Sequence, residues 1–135
     1  MRSIPARLST LARAALLAGL LGASSFAQAL EIKPFSTAAL ASAQKAGQPV
    51  AVHFHAEWCP TCRKQSMVLT QLKSDKSLEA VTVLVADYDA ERELRKTLKV
   101  RTQSTLVVFK GATERARVAG ETDSAKLAAT LRSAL

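Results

Sequence analysis

The sequence predicts an α/β protein, a three-layer α/β/α sandwich around a central mixed sheet. Three observations carry this. Short apolar, β-branched runs alternate with helix-period segments, which implies parallel crossovers. The last two strand-like runs are joined by a short turn, which implies an antiparallel hairpin and so a mixed sheet. The chain has 135 residues, one domain by length and enough for a single core.

The elements follow in order. A helix is expected between Lys33 and Pro49, with Pro34 and Ser36 as start signals and Ala38, Ala39, Leu40, Ala43 and Ala46 at helical spacing. Gly47 stops it. Val50 to His55 reads as a buried strand. Cys59 to about Lys73 reads as a helix with Met67, Val68 and Leu72 as its apolar stripe. Val81 to Ala86 is a second apolar strand, ended by Asp87-Tyr88-Asp89. Ala90 to Leu98 is a short charged helix and Thr105 to Phe109 a third strand. Lys110-Gly111 turns the chain, and Glu114 to Val118 alternates as an edge strand. Gly120 breaks it. Thr122 or Asp123 then caps a last helix with Leu127, Ala128 and Leu131 inward.

The first residues have a different design. Residues 1–29 hold Arg2, Arg7 and Arg13 and no acid, and Ala14 to Ala23 is an apolar block. Ala27-Gln28-Ala29 then offers small residues at a cleavage site. This is the layout of a secretory signal peptide over residues 1–29, leaving a domain at 30–135 outside the cytoplasm, periplasmic or extracellular. An organelle presequence or an uncleaved anchor shares some of these features. The block is short for a membrane span, so no stable insertion is expected after cleavage.

The formal net charge is +8. Its Lys and Arg are interspersed with acids, as in Glu91-Arg92-Glu93-Leu94-Arg95-Lys96, which reads as a solvated helix face. No basic block is interleaved with aromatics, which argues against nucleic-acid binding. Attraction to acidic partners is at most mild.

Cys59 and Cys62 are the two cysteines, in Trp58-Cys59-Pro60-Thr61-Cys62. Outside the cytoplasm a lone pair is expected to form a disulfide. A gap of two residues constrains the unfolded chain little, so a purely stabilising bridge is a poor explanation. Redox chemistry is a better one. Cys59 falls at a predicted helix N-terminus, where unpaired N–H groups and the helix dipole favour a thiolate. Arg63 and Lys64 add positive potential, and Pro60 suits the first helical position. These features lower the Cys59 pKa below the roughly 8.5 of a free thiol. Cys59 is then the attacking thiol, and Cys62, one turn deeper, resolves the mixed disulfide. Trp58 is expected beside the pair as an apolar docking surface, the other reading being a core tryptophan.

With these residues in place, residues 31–135 resemble the thioredoxin superfamily. The resemblance rests on Ala56-Glu57-Trp58-Cys59 after the first strand, Asp87-Tyr88-Asp89 after the second, Val100-Arg101 before Thr105-Leu106-Val107-Val108-Phe109-Lys110, and Gly120 after the hairpin. It implies a disulfide reductase, oxidase or isomerase that uses the two cysteines and no cofactor. It places Trp58, Pro60, Thr61 and Ser104 on the substrate-binding side. Ser104 stands where the family has a cis-proline. Serine is expected to make the preceding bond trans, and its hydroxyl could hydrogen-bond a sulfur or leave room for a metal. His53 stands where the family has a buried Asp that takes a proton from the second cysteine. Histidine can shuttle protons, so His53 is a candidate to assist catalysis. His55 replaces a tryptophan, and Val85 a buried lysine.

Residues two apart in a strand share a face, so His53 and His55 both point toward the cysteine side. Together with Cys59 and Cys62 they make an acceptable donor set for zinc or copper. An exported copper or zinc carrier is therefore the alternative to a protein-disulfide oxidoreductase. A redox-inert binding module is a third reading, opposed by the intact cysteine pair. The expected protein is a monomeric reductase of protein disulfides, served by an upstream thiol partner.

Overall fold

A computed structural model describes residues 29–135. The expected signal peptide lies outside the described residues except for Ala29. Among those described, no helix is long and apolar enough to cross a membrane.

The sheet is organised by its central strand. Val50, Val52 and Phe54 project to one face and Ala51 and His53 to the other, and all five are fully buried. Strands β1 (Glu31–Pro34), β2 (Pro49–His55), β3 (Thr82–Asp87), β4 (Thr105–Lys110) and β5 (Thr113–Ala119) form one sheet in the order β1-β3-β2-β4-β5. The β1–β3 and β3–β2 pairs are parallel, and the β2–β4 and β4–β5 pairs are antiparallel. The sheet is mixed, as expected. Gly111 turns the hairpin at φ 56°, and a Cβ there would meet the Gln44 carbonyl oxygen at 3.3 Å.

Helices α1 (Thr37–Lys45) and α3 (Arg92–Thr97) cover one face, where Leu40 and the half-buried Leu94 and Leu98 meet Val52, Phe54, Leu84, Val107 and Phe109. Helices α2 (Pro60–Gln71) and α4 (Ser124–Arg132) cover the other. There Leu69 of α2 and Leu127 and Leu131 of α4 meet Ala51, Val83, Leu106 and Val108. Each fully buried Leu or Phe contributes about 1.5–3 kcal/mol, so these two cores hold β2 rigidly and fix where its C-terminal end points.

Three expectations are corrected. The first element is a strand and not a helix. Lys33 and Pro34 belong to β1, and the helix begins only after Ser36, whose hydroxyl accepts from the Ala39 N–H at 3.0 Å. β1 is an edge strand held by backbone pairing to β3, and Pro34 is tolerated there. Met67 is exposed. The buried row of α2 and the turn after it is Cys62, Gln65, Leu69 and Leu72. The third helix starts at Arg92 and not at Ala90, because Asp87 Oδ1 accepts from the Asp89 and Ala90 N–H groups and holds a turn there. The last helix is capped by Asp123, with Leu127, Ala128 and Leu131 buried.

Candidate active site

β2 emerges from the core at His55, and the chain turns through Ala56, Glu57 and Trp58 into α2. Cys59 is the N-cap of α2, in extended backbone geometry, and Pro60 occupies the first turn. Cys59 Sγ therefore does what a Ser or Asp cap does. It accepts the Cys62 N–H at 3.1 Å. The sequence placed this cysteine correctly. Both cysteines are free thiols and buried, Cys59 at 3% exposure and Cys62 at 0%. Pro60 and Thr61 lie exposed between them.

Ser104 closes the site from the loop before β4. Its Oγ lies 3.0 Å from Cys62 Sγ and 3.3 Å from Cys59 Sγ. No peptide bond among the described residues is cis, so the bond before Ser104 is trans, as expected for serine. The residue takes φ 59°, a left-handed conformation uncommon outside glycine. Three bonds hold it there. Its N–H donates to the Phe54 carbonyl at 2.9 Å, and its carbonyl accepts from the Gly120 N–H at 3.0 Å and Gln65 Nε2 at 3.2 Å. Gln65 also donates to the Glu121 carbonyl at 2.8 Å. Gln65 was not foreseen. The available signal was a polar residue one turn after Cys62, in the row that continues to Leu69.

The two thiols are driven apart. Burial pushes Cys59 up, but bonding to the Cys62 thiol, the Ser104 hydroxyl and the Cys62 and Thr61 N–H groups outweighs it, so Cys59 lies below its ordinary value. Burial raises Cys62, and its contact with Cys59 adds to the rise. The expected contribution of Arg63 is corrected. Arg63 donates to the Glu57 carbonyl at 2.7 Å, so its guanidinium is engaged by backbone and not by a sulfur.

Trp58 is 60% exposed, so it is not a core residue. Its indole Nε1 donates to Asp89 Oδ2 at 2.8 Å, which stands the ring beside the cysteine turn. Tyr88 packs against Ala56, Cys59 and Cys62 from the end of β3.

His53 and His55 share the α2 face, their ring centroids 5.7 Å apart. His55 sits at the rim, Nδ1 3.2 Å from Ser66 Oγ and Nε2 3.2 Å from Glu57 Oε1. His53 is fully buried, and burial first, then the neighbouring His55, lower its pKa to about 4. Gln65 opposes that shift, yet neither His53 nitrogen nor Gln65 Oε1 has a partner in hydrogen-bond geometry. His53 and Gln65 are in polar contact without a formed hydrogen bond. The four-donor metal set is also corrected. Among the described residues, no three His, Cys, Asp or Glu side chains converge in a group that could hold a metal ion. Sharing a strand face brings the histidines near each other without bringing them round the sulfurs.

A buried thiol capping a helix, with a second buried thiol one turn inside, is the arrangement of a thiol–disulfide oxidoreductase. The chain belongs to the thioredoxin family, whose Thioredoxin model matches residues 31–133. Thioredoxin from Chlamydia pneumoniae is 36% identical over 74 residues, which span 55% of this chain and 71% of that one. A bifunctional thioredoxin reductase/thioredoxin from Mycobacterium leprae is 30% identical over 80 residues, 59% of this chain and 17% of that protein. Among solved structures, Trxlp from Edwardsiella tarda superposes with a TM-score of 0.71 at 33% identity, covering 75% of this chain and 98% of that one.

Proposed function

We propose that the chain is an exported reductase of protein disulfides. Cys59 attacks and Cys62 resolves the mixed disulfide, above the buried His53. Trp58, Pro60, Thr61 and Ser104 meet the substrate. The observation that carries this is the geometry of the pair, in which Cys59 Sγ caps α2 and accepts the Cys62 N–H at 3.1 Å while Cys62 lies fully buried one turn inside. It prepares one sulfur to attack while the other keeps its proton until needed.

The reducing direction is part of this proposal, and the reduction potential decides it, because a strongly stabilised thiolate favours the dithiol and makes an oxidant. Export is supported by the basic, apolar and small-residue layout of residues 1–29, and the form proposed is a periplasmic or extracellular monomer. Its electrons come from an upstream thiol partner. The Mycobacterium leprae relative, which names a reductase and a thioredoxin in one protein, supports such a pairing.

The test is the reduction potential of the domain, measured with Cys59→Ser and Cys62→Ser variants. A value in the region of roughly −270 mV supports a reductase, and one near roughly −120 mV overturns it in favour of an oxidase. Cys59→Ser is expected to abolish turnover and Cys62→Ser to trap mixed disulfides. Full activity in either variant overturns the assignment of roles.

A further inference from the structure

The resolving step has a proton to move. When Cys62 attacks the mixed disulfide, its thiol must lose a hydrogen, and the departing substrate sulfur must gain one to leave as a thiol. Among the described residues His53 has no hydrogen-bond partner, so no bond links it to either sulfur. Among the described residues, the one side chain within hydrogen-bond distance of both sulfurs is Ser104.

We propose that the Ser104 hydroxyl is a catalytic group that carries this proton from Cys62 to the leaving sulfur. The proposal rests on the reading of Cys59 as attacking and Cys62 as resolving thiol. A hydroxyl has one hydrogen to give and two lone pairs to accept with, so it cannot donate to both sulfurs at once. The arrangement that satisfies all three groups is a directed chain. Cys62 S–H donates to Ser104 Oγ, and Ser104 O–H donates to the Cys59 thiolate. Burial holds Cys62 raised against its own contact with Ser104, while Cys59 is lowered, so Cys59 carries the charge and Cys62 the hydrogen. Ser104 thus stabilises the attacking sulfur in the resting dithiol and already holds the proton of the second one.

The chemistry balances. The Cys59 thiolate attacks a substrate disulfide. One sulfur–sulfur bond breaks, a bond from Cys59 Sγ to the substrate forms, and the first substrate thiolate departs. Ser104 O–H then loses its acceptor, because Cys59 is now a disulfide sulfur. The second substrate sulfur is bonded to Cys59 Sγ, at a disulfide length of about 2.05 Å, and is the next acceptor beside the hydroxyl. As Cys62 attacks Cys59 Sγ, its hydrogen passes to Ser104 Oγ while the hydrogen of Ser104 passes to the departing sulfur. The Cys59–Cys62 bond forms and the substrate leaves as a thiol. The dithiol has lost two electrons, the substrate disulfide has gained them, and the serine is unchanged.

The backbone supports a functional placement. A left-handed, non-glycine residue is an outlier that its surroundings must impose. Here Phe54, Gly120 and Gln65 impose it from β2, the end of β5 and α2. Other conformations would avoid that cost, and this one aims the hydroxyl between the sulfurs.

The test uses Ser104→Ala and Ser104→Gly. Both remove the hydroxyl, and glycine is at ease at φ 59°, so at least one variant keeps the loop. The first-order resolving step is followed after mixing reduced protein with one of two disulfides, by acid quench, alkylation and mass detection. Glutathione disulfide leaves as an alkyl thiol that needs its proton. Dithiobis(nitrobenzoate) leaves as an aromatic thiolate that does not. Proton delivery of this kind is worth roughly 100-fold or more. Both variants are expected to slow resolution of both mixed disulfides, because Cys62 loses its proton acceptor in either case, and to slow the glutathione one by at least about 10-fold more, because its departing sulfur also loses its donor. Because the readout is a ratio on one sample, it does not depend on the folded fraction. Equal slowing on both disulfides, or no slowing on either, overturns the proposal and leaves Ser104 as a loop residue. Wild-type protein that stalls at the mixed disulfide overturns the role of Cys62 itself, and this proposal with it.

Discussion

The two faces of β2 follow different rules. Toward α1 and α3 the strand presents Val50, Val52 and Phe54, sealed at 0% exposure among apolar side chains, with polar atoms only at the margin, on Tyr88 and Arg95. Toward α2 it presents Ala51, His53 and His55, and that side continues into Gln65 and Ser104, all of them buried but for the half-buried His55. Three buried polar atoms there, two on His53 and one on Gln65, have no partner. Unpaired polar atoms cost stability. One strand thus carries its stability on one face and its chemistry on the other. A single rigid element positions the cysteines because its apolar face can bear the cost of the polar one.

Each face can be tested against the other. Phe54→Ala removes a fully buried ring and is expected to cost about 3–5 kcal/mol in denaturant unfolding. The reactivity of Cys59 in the remaining folded protein should be unchanged. A loss of thiol reactivity at constant folded fraction would show that the faces are not separable. The polar face predicts a pH effect of the next size. His53 has an ordinary value of 6.5 and a folded value of about 4. Between these pH values the unfolded chain binds a proton that the folded chain refuses. Stability is therefore fully present above pH 6.5 and falls as pH drops toward 4, by on the order of 3 kcal/mol. His53→Leu should flatten that fall in unfolding curves measured across this range. A slope identical to wild type would mean that the ring is hydrated and titrates normally.

The smallest stability effect and the sharpest division belong to Gln65. Gln65→Leu keeps a similar volume, removes an unpartnered oxygen and loses the donations to Ser104 and Glu121. Stability should change by less than about 1 kcal/mol, because the lost bonds are offset by the removed buried oxygen. Turnover of a disulfide substrate should fall several-fold, and the Cys59 thiolate, followed by its ultraviolet absorbance against pH, should titrate higher. Unchanged titration would show that Gly120 and Phe54 hold Ser104 unaided.

The legible parts of this architecture were those written locally. Cys59 as a cap, Cys62 one turn in, and the strands around Val52, Leu84 and Val107 all follow from spacing and apolar runs over a few residues. β1 was missed because its pairing is made by backbone, and Glu31, Ile32, Lys33 and Pro34 offer little apolar alternation. Met67 was taken for the buried face of α2 because it is apolar, when the position belongs to Gln65. Site contacts between distant residues were the least accessible. Ser104 lies 45 and 42 residues from the sulfurs it touches. Family resemblance marked its position, but its left-handed backbone and double contact needed coordinates. For the histidines, strand alternation gave the shared face correctly. Only three-dimensional placement could show that a shared face is not a shared coordination sphere.

Trp58 has an optical consequence. It is the single tryptophan of the chain, 60% exposed and adjacent to Cys59, with its indole tethered to Asp89. Ring emission is sensitive to nearby sulfur, so the chain contains its own fluorophore one residue from the reacting atom. Because that ring is already largely in water, its signal responds weakly to loss of the distant core and strongly to changes at the cysteine turn. Turnover can then be watched in the unlabelled protein, in real time, without attaching a dye.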